Sequence, residues 1–275
     1  DAITPISFMI NQAMIANSLI NSCLQIAEHC QKPLKQQIDI NAQCLVQSYE
    51  YLYVKSAELY RIPYGSDFRY DGLYAPWNWH LTWAAVLNHV GEIENKANLK
   101  QRALGIVNQF TNSWQYTEEE PSRILWRYWT PHYYKGWTLA DKMSVHRPKQ
   151  KVVTGKKLRY EDINHAGLSL LGLHFLQHSL SQTQQQLLTN TANELLNYGS
   201  ILPRDMDGKG PQNPRWSLGA GWHAFASPEF KARYKTKLPG SVSSNKHLAY
   251  ALFAKSEAKF ELRFSLSLCT TAIAN

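Results

Sequence analysis

The run Arg159-Tyr160-Glu161-Asp162-Ile163-Asn164-His165-Ala166-Gly167-Leu168 sets two carboxylates, an amide and an imidazole at the mouth of a strongly apolar segment. The apolar residues that follow recur at helical spacing, so Asp162 or Asn164 is suited to cap a helix and His165 to lie in its first turn. A neutral imidazole there can accept a proton. Asn164 beside it can donate a hydrogen bond to a carboxylate or to a developing oxyanion. The plainer account of the same residues is a capped helix start followed by a satisfied core histidine.

Two further clusters carry polar groups among aromatics. In Pro76-Trp77-Asn78-Trp79-His80 a helix start would present Asn78 and His80 to a cleft while Trp79 and Trp83 point inward; its plain reading is a capped, Trp-rich core helix. Trp126, Arg127, Tyr128, Trp129, His132, Tyr133, Tyr134 and Trp137 would form a stacking wall. Arg127 could clamp a carboxylate there in bidentate fashion. A buried hairpin would also use such residues, but so many polar-tipped rings favour a wet cleft.

Metal chemistry finds little footing. His174 and His178 share a helical face without the companion glutamate of a zinc helix. Asp205-Met206-Asp207-Gly208 lacks the later bidentate Glu of a calcium loop and reads as a turn. Cys23, Cys30, Cys44 and Cys269 have no C-x-x-C spacing. Cys23 and Cys30 lie two turns apart on one expected helix, too far to bridge easily, whereas either could meet Cys44 across a helix pair. No metal and no cofactor is expected.

The elements that must hold these residues are mostly helical. An apolar stripe through Met9, Ala13, Ala16, Ile20, Cys23 and Ala27 predicts a long first helix, broken by Pro33. Asn11, Gln12, Asn17 and Asn21 interrupt it and no basic segment leads into it, so it reads as a core helix rather than an intact secretory signal. Further helices are predicted over about residues 41–60, from Asn78 to a stop at Gly91, from Leu99 to Trp114, over 164–177 and 183–198, from near Arg215, and over 245–254. Residues 123–129 alternate as a short strand, and 257–275 carry the clearest strand pattern, through Phe260, Leu262, Phe264, Leu266 and Leu268. The expected fold is therefore all-α: an (α/α) helical-hairpin toroid, incomplete as a ring, over residues 1–256. It carries a short aromatic β-hairpin and a C-terminal strand tail over 257–275. A plain helical bundle is the simpler alternative.

The stretches Tyr74-Ala75-Pro76-Trp77-Asn78-Trp79-His80, Trp126-Arg127-Tyr128-Trp129 and Glu161-Asp162-Ile163-Asn164-His165-Ala166 resemble the (α/α)-toroid polysaccharide lyases, in particular the alginate and glucuronan lyases and their relatives. The resemblance covers roughly residues 70–225. It implies β-elimination at a uronic acid, with Asn164 neutralising the C5 carboxylate and His165 serving as base or second neutraliser. Glu161 or Asp162 would orient His165. The family brings an Arg and then a Tyr from the next helix pair. Arg215 stands in a suitable place here, but Trp216, Trp222 and His223 follow it. The tyrosine must then come from Tyr128, Tyr133, Tyr134 or Tyr234. Trp77, Asn78, His80, Arg127, Trp129, Trp222 and His223 would line the substrate cleft.

The chain's 275 residues suit one large core, and its net charge of +8 favours acidic partners. Nine Trp and 15 Tyr suit sugar stacking. Basic residues gather in 142–159, where seven stand without an acidic one, and in 231–237; they would funnel a polyanion or simply form solvated faces. No segment reaches the about 20 apolar residues of a membrane span. No recognisable nucleic-acid-binding pattern appears. The expected partner is an anionic polysaccharide, neither nucleic acid nor membrane, and the substrate class implies a periplasmic or secreted protein. A uronyl C5-epimerase and a glycoside hydrolase remain open on the same fold. The hydrolase would set Glu161 or Asp162 against Asp67 or Asp71. Outside enzymes, an acidic-glycan binder without catalysis is the alternative.

Overall fold

A computed structural model describes residues 8–25, 30–66, 68–118, 122–137, 159–198, 202–212 and 220–229. Within them the fold is mainly helical, with two small two-stranded sheets. The helices are α1 (Met9–Gln25), α2 (Lys32–Tyr49), α3 (Trp77–Ile93), α4 (Ala97–Asn112), α5 (Ile163–His174), α6 (Gln182–Asn197) and α7 (Ala220–Phe225). The strands are β1 (Tyr53–Val54) with β2 (Leu59–Tyr60), and β3 (Gln115–Tyr116) with β4 (Ile124–Leu125), both pairs antiparallel.

The odd-numbered helices pack one on the next, α1 on α3, α3 on α5 and α5 on α7; α2 lies against α1 and α3, α4 against α3, and α6 against α7. Small residues set the spacing of the odd-numbered row. A Cβ at Gly172 of α5 would stand 2.6 Å from the Leu81 carbonyl carbon and the Thr82 nitrogen of α3. One at Gly221 of α7 would stand 2.0 Å from the Gly167 oxygen. Such backbone approach is open only to glycine. Asn17 of α1 donates to the Thr82 carbonyl at 2.7 Å, adding a buried polar tie to α3. α3 is buried almost all round at its start, from Trp77 through Leu87, as befits the central helix of the row.

Several expected boundaries move. Pro33 does not separate the first two helices. It occupies the opening turn of α2, where its missing N–H costs nothing and its fixed φ suits a helix start. α2 consequently begins before residue 41 and ends at Tyr49, and the aromatic stretch beyond it turns back as β1–β2 with Glu58 at φ 53°. Gly91 does not stop α3. It lies inside the helix, packed so closely on Lys100 of α4 that a Cβ would stand 2.7 Å from that side chain, and Asn95, at φ 51°, marks the exit. Of the expected 123–129 strand only Ile124–Leu125 is regular, and its partner is Gln115–Tyr116.

Cys23 and Cys30 are disulfide-bonded, with Cα atoms 5.1 Å apart, contrary to the expectation that they stand too far apart. Cys30 stands in a bend rather than in a helix, so it is not carried two turns up α1. Cys44 is free. Cys269, the 245–254 helix and the 257–275 tail lie outside the described residues.

Candidate functional site

The site is built on the starts of α3 and α5, which the chain ties together by main-chain bonds at single residues. Arg61 bridges Tyr74, Pro76 bridges Trp129, Arg127 bridges Tyr160, and Asp162 bridges Asp205. The Trp77 N–H donates to the Tyr128 carbonyl at 3.1 Å, and the Glu161 N–H to the Trp126 carbonyl at 3.0 Å. On the far side the Ile163 N–H donates to Arg204 at 2.9 Å and the Met206 N–H to Glu161 at 3.0 Å. The segment 126–129 therefore runs between two helix entrances and is bonded to both. Each rung satisfies backbone groups that a helix start otherwise leaves bare.

Asp162 is the N-cap of α5. Its Oδ1 accepts from the backbone N–H groups of Asn164 and His165, each at 3.1 Å, and its Oδ2 pairs with His165 Nδ1. Burial alone would push the Asp162 carboxyl up, but His165 and the two amides outweigh it and hold the group below its ordinary value. One carboxylate thus caps the helix and fixes the imidazole, the role left open between Glu161 and Asp162 in the sequence.

Glu161 has a different setting. It is fully buried, bonded by Trp126 Nε1 and by Ser169 Oγ at 3.0 Å, and burial pushes its carboxyl well above the ordinary value. Glu161 therefore faces Trp126 and Ser169 rather than His165. Asp71 is likewise buried, accepting from the Gly65 N–H at 2.9 Å. Of the carboxylates considered for hydrolysis only Asp162 keeps solvent access, and Asp67 lies outside the described residues.

Tyr128 meets His165 edge-on with ring centroids 5.0 Å apart. Burial, with Glu161 and Asp162 close by, pushes the Tyr128 hydroxyl above the ordinary phenol range; a hydrogen bond with the Asn78 amide acts the other way. A phenol so held stays protonated and suits the donor role better than the base role. Asn78 is 2 % exposed and inside α3 rather than capping it. Asn164 stands exposed in the first turn of α5.

A wall of rings leads away from this point. Trp129 stacks on Tyr133, centroids 3.9 Å apart at 8°, and touches Tyr128 at 4.9 Å and Tyr70 at 5.0 Å. Tyr134 packs against Tyr133 at 5.3 Å, and the Arg127 guanidinium lies 4.2 Å over Tyr160.

Other candidates fall away from solvent. Trp77 and Trp222 are fully buried, and Trp222 Nε1 donates to the Ile163 carbonyl at 2.7 Å while its ring stacks on Trp126. His80 is sealed: Nε2 accepts the Tyr60 N–H at 2.9 Å, and Nδ1–H donates to the Pro76 carbonyl at 3.0 Å. Burial lowers its imidazole to about 4. These three hold the helix starts rather than line a cleft, because the packing that builds the entrance consumes them. His223 is part-exposed on α7. Arg215, Tyr234, the basic residues of 142–158 and those of 231–237 lie outside the described residues. Among the described residues no group of His, Cys, Asp and Glu is arranged to hold a metal ion.

Sequence reasoning missed Tyr70, whose ring extends the wall, and the rungs that join the helix entrances. Tyr70 sits in a turn-rich loop with no period to mark it. No protein-family model matches this chain, and no curated protein or solved structure was found similar to it.

Proposed function

We propose that the chain is a polysaccharide lyase that cleaves a uronate-containing anionic polymer by β-elimination, on an (α/α) helical-hairpin toroid. The observation that carries this reading is the convergence of the Asp162–His165 pair with Tyr128 at the entrances of α3 and α5, beside a wall of rings. The row of odd-numbered helices with even-numbered helices packed against it supports the toroid. The motif likeness to the alginate and glucuronan lyases and the net charge of +8 support the substrate class.

In this reading Asp162 holds Nδ1–H of His165, which leaves Nε2 to take the C5 proton of the uronate. Asn164, exposed beside it, donates to the C5 carboxylate as charge builds there. The C4–O4 bond breaks, the C4–C5 double bond forms, and the Tyr128 hydroxyl gives its proton to the departing O4. Water then returns Tyr128 and His165 to their starting protonation. The Cys23–Cys30 bridge suits an oxidising compartment, in keeping with a periplasmic or secreted enzyme. No helix among the described residues is long and apolar enough to cross a membrane.

The test is ultraviolet absorbance of the conjugated double bond during incubation with alginate, glucuronan, hyaluronan, chondroitin and pectate. A rise that disappears in Asn164→Ala and His165→Ala is the expected result. A flat trace on every polymer sinks the lyase. Reducing-sugar release without absorbance would replace it with a hydrolase, and binding without either with a glycan-binding protein.

A further inference from the structure

We infer that the substrate-binding surface runs from His165 across Tyr128, Trp129 and Tyr70 to a second acidic-sugar subsite at Arg69, which takes the carboxylate of a uronate some units away from the cleaved bond. This rests on the proposed action on a uronate polymer and adds to it a direction for the chain and a distal anchor.

The path is continuous. His165 meets Tyr128 at 5.0 Å, Tyr128 meets Trp129 at 4.9 Å, and Trp129 meets Tyr70 at 5.0 Å. The guanidinium carbon of Arg69 then lies 4.5 Å from the Tyr70 ring centre. Tyr70 also packs against Tyr133 at 5.5 Å and Phe68 at 5.4 Å. Tyr128, Trp129 and Tyr70 are each part-exposed, and Arg69 is exposed. Part-exposed amphipathic rings in contact with one another are groups on which sugar rings can stack.

The Arg69 guanidinium lies over the Tyr70 ring in a cation–π contact. A guanidinium held against a ring in this way can still offer its N–H groups to an anion. That fork matches a carboxylate, and having been ordered beforehand it loses less freedom on binding. No carboxylate among the described residues forms an ion pair with Arg69.

The experiment is calorimetric titration of the full chain with size-graded oligouronides from alginate and glucuronan, disaccharide to octasaccharide, and with the octasaccharides after reduction of their carboxyls to alcohols. The wild type is expected to gain affinity with length, by more than the carboxyl-reduced series gains. Arg69→Gln is expected to weaken the octasaccharides about tenfold, to leave the disaccharides unchanged, and to remove the difference between acidic and reduced octasaccharides. Tyr70→Ala should act in the same direction, and Arg69→Lys should retain part of the gain through charge without the fork. Because Arg69 is exposed, melting temperatures of the Arg69 variants should match the wild type, which separates this effect from misfolding. If the wild type binds acidic oligomers and Arg69→Gln binds each length as tightly as the wild type does, the subsite is wrong while the proposed function stands. If the wild type binds none of the oligouronides, both fall together.

Discussion

Asp162 and His165 are joined twice: the carboxylate caps the helix through the His165 N–H at 3.1 Å and holds the same residue's ring through Nδ1. Backbone and side chain of the imidazole are thus fixed by one group, and stability and reactivity can be separated by substitution. Asp162→Asn keeps an N-cap acceptor but loses the charge, whereas Asp162→Ala loses both. Thermal melting should show Asp162→Asn within a few tenths of a kcal/mol of wild type and Asp162→Ala lower by about 1 kcal/mol. Elimination rates on the responsive polymer should fall in both by about 100-fold or more. Equal rates in wild type and Asp162→Asn would remove Asp162 from the proposed mechanism.

Tyr128→Phe deletes only the hydroxyl of a ring that packs on its neighbours through its edges and faces. It should lower kcat by about 100- to 10,000-fold with KM little changed. The melting temperature should change little, because the ring and its contacts with Trp129 and His165 remain. A variant with full activity would show that the proton reaches the leaving oxygen from elsewhere.

Two buried groups predict opposite responses to pH. His80 is held at about 4 against an ordinary 6.5, so its contribution is fully present above 6.5 and is lost as pH falls toward 4. The span corresponds to about 3 kcal/mol. Glu161 is raised above 4.5, so its contribution is fully present below 4.5 and is lost as pH rises through the folded value. Urea unfolding between pH 4 and 7 separates them. The acid-side loss should vanish in His80→Gln, and Glu161→Gln should outperform wild type more at pH 7 than at pH 4.5. A wild-type slope that persists in His80→Gln would mean that another group carries it.

Gly172→Ala should be strongly destabilising, although alanine is the better helix former. The new methyl would meet main-chain atoms of Leu81 and Thr82 at 2.6 Å, and main chain cannot rotate aside. Overpacking of this kind costs about 1–3 kcal/mol. Calorimetric melting measures it; an unchanged or higher transition would show that α3 and α5 can separate freely.

What was legible in the sequence follows from what leaves a local mark. Asp162 before an apolar helical run announces a cap, and the ring-dense stretch around Tyr128 announces a wall. The joining of Tyr128 to His165 leaves none, because single-residue rungs between distant segments impose no period. His80 was expected in a cleft because a polar residue at a helix start resembles a site residue. Only the tertiary contacts with Tyr60 and Pro76 show it to be a structural pin. Pro33 misled for a related reason: its residue type breaks a helix in the middle and favours one at the start, and position alone decides. The Cys23–Cys30 pairing escapes a reading that continues the helical stripe to Cys30, which stands in a bend.

The single-residue rungs that join the helix entrances also bear on how such a protein can diversify. Each rung anchors the chain at one point. Lengthening such a span is cheap, about 0.6 kcal/mol for each doubling of a flexible loop. The mouth can therefore be reshaped by altering the turn between the Arg61 and Tyr74 anchors, which holds no helix or strand among its described residues, while the helices beneath keep their register. Grafting spans of other lengths between those anchors is the natural route to altered polymer preference on an unaltered scaffold.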